Sequence, residues 1–327
     1  MALASKPELL TINLVTILPP YRLYRAVVCA LIASTHTPAL LAAEGDTRPP
    51  IEWNTEVAIG SEYDSNVALD EVDLSTRQSD YALTLDAKIS ATSTLTTGST
   101  LKLSYDYAQS LYSEFSNVDR QTHILGGSMD SDFDIFDAGL SVFYINSSLD
   151  HSKFLELYRV SPSVSGFISK KVFARSAYVY SDKDIENSRQ RNAISHTGEA
   201  DLYYFRRGLR SYFNAGVQFK YENAEASEYD YKSQQFKLRY VQRFELFTKI
   251  ATLELAYRYE DRNYTSDTPS IGGKRADRRN RWRIDIEIPI LAEATLQFYG
   301  GYADYESNLP RADYDQEIIG TRFIYRW

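Results

Sequence analysis

An antiparallel β-barrel that crosses a membrane on its strands is the fold class this sequence predicts, and three observations predict it. Apolar and polar residues alternate with period two in segment after segment, which is the pattern of strands with two unlike faces. The connections between those segments differ in length by parity, as in barrels with tight turns on one side and longer loops on the other. The chain is polar on average, with a mean hydropathy of −0.39, yet 13% aromatic, with 26 tyrosines. Such a composition suits side chains that meet lipid on one face and water on the other. A bundle of membrane helices is excluded, since each span needs ~20 mostly apolar residues. Disorder is excluded by the aromatic content. The single cysteine excludes a disulfide scaffold and a thiolate zinc site.

The first segment is expected to be removed. Arg22 and Arg25 precede the apolar run 26–33, and small residues lead to Ala43, as in a secretory signal peptide. The predicted division is signal peptide 1–43, a short periplasmic segment 44–50, and barrel 51–327. Cys29 lies inside the signal, so the mature chain has no cysteine.

Fourteen strands follow, near 51–62, 80–91, 99–112, 119–129, 135–146, 154–167, 172–181, 193–205, 209–222, 231–243, 249–261, 280–290, 294–304 and 314–327. In the second, Tyr81, Leu83, Leu85, Ala87 and Ile89 oppose Thr84, Asp86, Lys88 and Ser90. In the third, Leu101, Leu103, Tyr105 and Tyr107 oppose Lys102, Ser104 and Asp106. The ninth sets Phe213, Ala215, Val217, Phe219 and Tyr221 against Asn214, Gln218, Lys220 and Glu222. The eleventh sets Leu253, Leu255, Tyr257 and Tyr259 against Thr252, Glu254, Arg258 and Glu260. The twelfth sets Trp282, Ile284, Ile286 and Ile288 against Arg283, Asp285 and Glu287. Two strands are weak, because Gly126-Gly127 interrupts the fourth and Pro162 removes a ladder hydrogen bond from the sixth. Losing both would leave twelve.

Of the connections after strand one, 63–79 is longer than 92–98, and the second member of each later pair is again the shorter. Both termini then fall on the periplasmic side. In hydrocarbon every backbone polar group must be paired, so the sheet has to close. Tyr107, Tyr180, Tyr221 and Tyr259 at strand ends would form an aromatic girdle.

The last strand, Ile318 to Trp327, ends with Phe323, Tyr325 and Trp327 on one face. With Gly320 it resembles the C-terminal assembly signal of Gram-negative outer-membrane proteins. That resemblance implies outer-membrane location, and assembly by the barrel assembly machinery. Two residues, Arg326-Trp327, extend beyond the family's final aromatic. The opening strand, Val57 to Val67, resembles the first strand of several porin families, and with its run Tyr63-Asp64-Ser65-Asn66-Val67 it also resembles the barrel of surface lipoprotein assembly modifiers. The latter carry an N-terminal tetratricopeptide region. Only residues 44–50 separate signal from barrel here, so that region is expected to be missing.

The expected lumen lining is charged with both signs: Asp86, Lys88, Lys102, Asp106, Arg175, Glu199, Lys220, Lys237, Arg239, Glu254, Arg258, Arg283, Asp285 and Glu287. It could wet a pore that sorts solutes by charge, or fill a closed lumen with cross-strand ion pairs. Interleaved acids predict weak selectivity. His123, His151 and His196 have no nucleophile and orienting group in a catalytic arrangement, so no catalytic residue, enzyme activity, cofactor or metal is expected. The acidic stretch Asp64, Asp70, Glu71, Asp73 lacks the spacing of a calcium loop. The basic run Lys274 to Arg281 reads as an external loop meeting lipopolysaccharide phosphates, in a chain whose net charge of −8 speaks against nucleic acid. Expected partners are outer-membrane lipid and lipopolysaccharide; the oligomeric state is open. The expectation is a passive channel for small hydrophilic solutes, the alternative an export or assembly barrel working with periplasmic partners.

Overall fold

The computed structural model describes residues 51–327. The expected signal peptide 1–43 and segment 44–50 lie outside the described residues. Sixteen strands run in order: β1 (Ile51–Asp64), β2 (Ala68–Leu69), β3 (Leu74–Ser75), β4 (Asp80–Thr96), β5 (Ser99–Tyr112), β6 (Arg120–Asp132), β7 (Asp137–Leu149) and β8 (Ser152–Ser169). They continue as β9 (Val172–Ile185), β10 (Ala193–Phe205), β11 (Ser211–Ala224), β12 (Tyr231–Leu246), β13 (Lys249–Thr268), β14 (Gly273–Pro289), β15 (Ala294–Ser307) and β16 (Tyr314–Arg326). β2 and β3 pair only with each other, in the first loop; the other fourteen close a barrel in which β1 pairs with β4 and β16. Closure is antiparallel at every seam, and Thr55 and Trp327 exchange backbone hydrogen bonds of 3.1 Å at the last one.

The period-two pattern sets the two faces. Outward side chains such as Tyr81, Phe219, Trp282 and Ile319 are exposed, as a lipid-facing band requires. Tyr257 and Trp282 pack ring to ring across β13 and β14, 4.2 Å between centroids. On the outer face Tyr105 and Tyr178 hold His123 and His196 in hydrogen bonds of 2.7 and 2.5 Å.

Both weak strands belong to the barrel, which removes the twelve-strand alternative. Gly126 sits directly opposite Phe143 of β7, and a Cβ added to it would lie 2.9 Å from that ring. The aromatic supplies the packing that the glycine lacks. Pro162 pairs with Leu140 of β7, while on the β9 side the ladder skips from Val160–Tyr180 to Ser163–Ala177. The missing N–H is tolerated as a gap of two residue pairs in one ladder.

Loop parity departs from expectation in two places. Connection 150–151 is no longer than 170–171, and 269–272 no longer than 290–293. The second case has a clear cause. Glu260–Arg279, Asp261–Arg278 and Arg262–Asp277 stand directly opposite one another. Opposite charges in register stabilise a cross-strand pair, so β13 and β14 continue as a ribbon where a loop was expected. The basic run 274–281 is therefore strand. Its side chains alternate, with Arg275, Arg279 and Arg281 turned inward.

Apolar packing inside the barrel is confined to the ends. At the end opposite the chain termini, Val67, Leu69, Ala82, Tyr112 and Val118 form a buried cluster beneath the first loop. Phe154, Leu155 and Ile185 form a second, and Val72 of the loop touches both. At the terminal end Tyr203, Tyr212 and Val241 pack with Phe173 and Phe205 on the lumen side of β9 to β12.

Candidate functional site

The first loop, 65–79, folds into the mouth of the barrel, and its foot is the run that resembled family barrels. Asp64 is buried and accepts from Gln316 Nε2 of β16 at 2.8 Å and from the Asn66 N–H at 2.9 Å. Ser65 trades backbone and side-chain bonds with Glu317. Asn66 donates to the Asp315 carbonyl at 2.8 Å, and its Oδ1 accepts from Ser75 Oγ and the Arg77 N–H. Val67 is 1% exposed. Each residue from Asp64 to Val67 therefore fixes the direction in which the loop leaves β1.

From that foot a single 3-10 turn, Asp70–Val72, together with Asp73 that caps its end, carries three acids into a ring of arginines. Asp73, in the left-handed region at φ 53°, receives Arg275 Nη1 at 2.7 Å and Nη2 at 2.9 Å, and Arg191 Nη2 at 2.5 Å. Glu71 receives Arg120 at 2.9 Å. Asp70 accepts from Tyr314 Oη and lies 3.4 Å from Arg279. Arg77 donates to the Pro310 carbonyl at 2.9 Å. The arginines come from β6, from the connection 186–192 and from β14, so the loop is tied to the wall all around the opening. Burial would raise the Asp73 carboxyl, but the hydrogen bonds and charge of Arg275, with Arg191, outweigh it and hold the group well below the usual carboxylate range. Asp70 is lowered too, because the charge of Arg279 and the Tyr314 hydrogen bond overcome its burial.

Below the loop the wall is a set of ion-paired rows. Lys88 meets Asp106 at 3.0 Å, with Lys102 beside them; Arg322 reaches Asp86 at 3.6 Å. Arg175 and Arg159 share Glu199 at 3.7 and 3.3 Å. Lys220 and Lys183 share Glu222, at 2.5 and 2.6 Å. Lys237 pairs with Asp201 at 2.8 Å, Arg239 with Glu254, and Arg283 with Asp285 at 2.7 Å. Glu287 lies 3.7 Å from Arg326, which also holds Glu56. Arg258 makes no ion pair or hydrogen bond among the described residues. Between loop and wall remains a polar cavity of about 420 Å³, lined by groups including Arg159, Glu222, Glu260, Arg262 and Arg281.

Sequence reasoning placed these charges on strands but missed the clamp. The acidic stretch was weighed as a calcium loop and the basic run as a lipopolysaccharide contact. In the structure the two neutralise each other, more than 200 residues apart in the chain. Opposite charge in two otherwise unexplained clusters was the available signal. The aromatic cluster at the terminal end was also missed, because Phe173, Tyr203, Phe205 and Tyr212 occupy the face read as polar.

At the C-terminus, Phe323, Tyr325 and Trp327 all point outward and are exposed, the last two with ring centroids 5.4 Å apart. Gly320 faces inward against the ring of Tyr299, its direct partner on β15, leaving no room for a Cβ. The Tyr299 hydroxyl donates to Glu62 at 2.6 Å.

Residues 50–298 match the family model of the surface lipoprotein assembly modifiers. No curated protein matches the sequence. Among solved structures, the anion-selective porin from Comamonas acidovorans aligns with a TM-score of 0.51 at 9% identity, over 85% of this chain and 99% of that one. OmpT of Vibrio cholerae aligns at 0.49 and 9%, over 86% and 100%, and CdiB from Acinetobacter baumannii at 0.49 and 9%, over 84% and 60%. At such identity the likeness to the Comamonas porin speaks for the fold alone. The match from residue 50 into the first residues of β15, on a closed fourteen-stranded outer-membrane barrel, places this chain in the surface lipoprotein assembly modifier family.

Proposed function

We propose that this protein is a gated outer-membrane barrel that takes part in placing lipoproteins on the cell surface, with the first loop closing its outer mouth at rest. The termini then lie in the periplasm. The observation that carries the reading is the clamp of Asp70, Glu71 and Asp73 on Arg279, Arg120, Arg191 and Arg275. A passive channel needs a standing water path, whereas buried ion pairs across the mouth favour a barrel that opens for a particular cargo. Family membership supplies the class of cargo.

The test is surface display. A lipoprotein with a protease-sensitive tag is expressed with this barrel in a heterologous Gram-negative host, and intact cells are shaved. Cleavage should depend on the barrel, and purified barrel should give little steady current in a planar bilayer. Barrel-independent cleavage together with a large steady conductance would favour the passive channel instead.

A further inference from the structure

We propose that Lys237, Arg258 and Arg281 form a lumenal binding site for a phosphate group, free or carried on a solute. Lys237 stands directly opposite Arg258, and Arg258 directly opposite Arg281, on β12, β13 and β14. Side chains so placed have Cβ atoms ~4.5–5.5 Å apart, and like charges there repel. Three cations abreast, with the acid of their row, Asp201, lying beyond Gly216 at the Lys237 end, are unfavourable unless something negative lies among them.

The protein supplies only part of that charge. Lys237 has Asp201 at 2.8 Å. The carboxylate nearest Arg281 is Glu260, at 3.7 Å, and it already receives Arg262 at 3.2 Å. Arg258 has no acid within ion-pair reach among the described residues, although it is not fully buried. Arg281 Nε and the neighbouring Arg279 Nε are buried donors with no partner. Burying a donor without an acceptor is costly, so two such nitrogens beside an unpaired guanidinium point to a missing acceptor.

Space is available as well. The row is bounded by Gly216 beyond Lys237 and Ala303 beyond Arg281. Ala256, two residues before Arg258, leaves the wall low on that side. Arg281, Glu260, Arg262 and Arg279 line the 420 Å³ cavity, so an anion there reaches the row from water. Guanidinium forks match the oxygens of phosphate, two donors at a time. A bound phosphate would span Arg258 and Arg281 and relieve their repulsion. This site stands whether or not the barrel handles lipoproteins.

The experiment compares thermal unfolding of the purified barrel in detergent with sodium phosphate and with sodium chloride at equal ionic strength. Phosphate should raise the midpoint saturably. Arg258→Gln should raise the midpoint in chloride, by removing repulsion, and should abolish the phosphate increment. Arg281→Gln should weaken apparent phosphate affinity at least about tenfold, the scale of one charge-assisted hydrogen bond. The exposed, outward Arg278→Gln should leave the increment intact. Glycerol phosphate acting at lower concentration than inorganic phosphate would identify a solute-borne group; the reverse order would identify the free anion. An increment unchanged in both variants, or a lower chloride midpoint for Arg258→Gln, would overturn the site. Titration calorimetry on the wild-type protein gives a second reading should a variant not fold, and no saturable heat with phosphate would also overturn it.

Discussion

Asp73 of the first loop and Arg275 of β14 meet in a two-pronged ion pair, 2.7 and 2.9 Å long, with both side chains almost wholly buried. Arg275 is held in turn by Asp277 at 2.8 Å and packs over the Tyr264 ring. Wall and loop are thus joined by planar, preoriented groups. A buried pair adds little net stability over an apolar isostere, but removing one partner leaves a buried charge, at a cost of ~3–5 kcal/mol.

That asymmetry gives the first prediction. Arg275→Gln should free the loop more than it unfolds the barrel, since the barrel ladders do not depend on it. Expected results are a rise in bilayer conductance and faster protease cleavage within 65–79. Asp73 keeps Arg191 when Arg275 is gone, so adding Asp73→Asn to Arg275→Gln should cost less than Asp73→Asn alone, because the Asp73–Arg275 pair is already broken. Additive losses would mean that the two residues act separately.

The pH dependence has a definite sign. Asp70 and Asp73 have depressed pKa values in the folded chain. Their contribution is fully present above the ordinary carboxylate value, near 3.8, and is lost as pH falls through the depressed folded value. The part of loop cleavage that Asp70 and Asp73 control should therefore be flat from neutral pH to about pH 5. It should rise only below the ordinary carboxylate range. A transition near pH 6 would show that some other group controls the loop.

Gly320 offers a test that separates packing from targeting. The Tyr299 ring covers its Cα, so Gly320→Ala must displace the ring and strain its bond to Glu62. The cost expected for such overpacking is ~1–3 kcal/mol. It should appear as reduced urea stability in pure lipid vesicles, with no assembly machinery present. Normal stability there, with failed assembly in cells, would assign Gly320 to recognition alone.

Strand positions were readable because each of the fourteen barrel segments repeats one local rule, and one rule suffices when both faces meet a continuous solvent. Gly126 and Pro162 weakened two strands in the sequence, yet Phe143 and a short gap in one ladder absorb them. Ion pairs within the wall were half legible: parity put Lys88, Asp106, Arg239 and Glu254 inside, but pairing depends on register, which parity does not set. The clamp left only one trace in the sequence, two clusters of opposite charge, and nothing there paired them. Asp73 and Arg275 are distant in sequence, and only closure of the barrel brings them together. The extended ribbon of β13 and β14 could have been found by aligning Glu260, Asp261 and Arg262 against Arg279, Arg278 and Asp277.

The last prediction tests the two faces on which the lumen depends. Ile286 points outward between Leu253 of β13 and Phe298 of β15. Ile286→Arg places a charge in the lipid band and should cost ~2–4 kcal/mol if that position lies near the midplane. Asp285, one residue away, points inward and accepts from Arg283 at 2.7 and 2.8 Å and from Gln297 at 3.0 Å. In Asp285→Asn the amide oxygen still accepts, and Arg283 still lies 5.1 Å from the Tyr299 ring. That change should cost less than ~1.5 kcal/mol, the scale of one hydrogen bond. Urea unfolding of both variants in lipid vesicles makes the comparison. A large penalty at Ile286 with a small one at Asp285 fits lipid outside and polar lumen inside. Equal penalties would mean that β14 is buried on both faces, and would remove the basis for a lumenal site beside it.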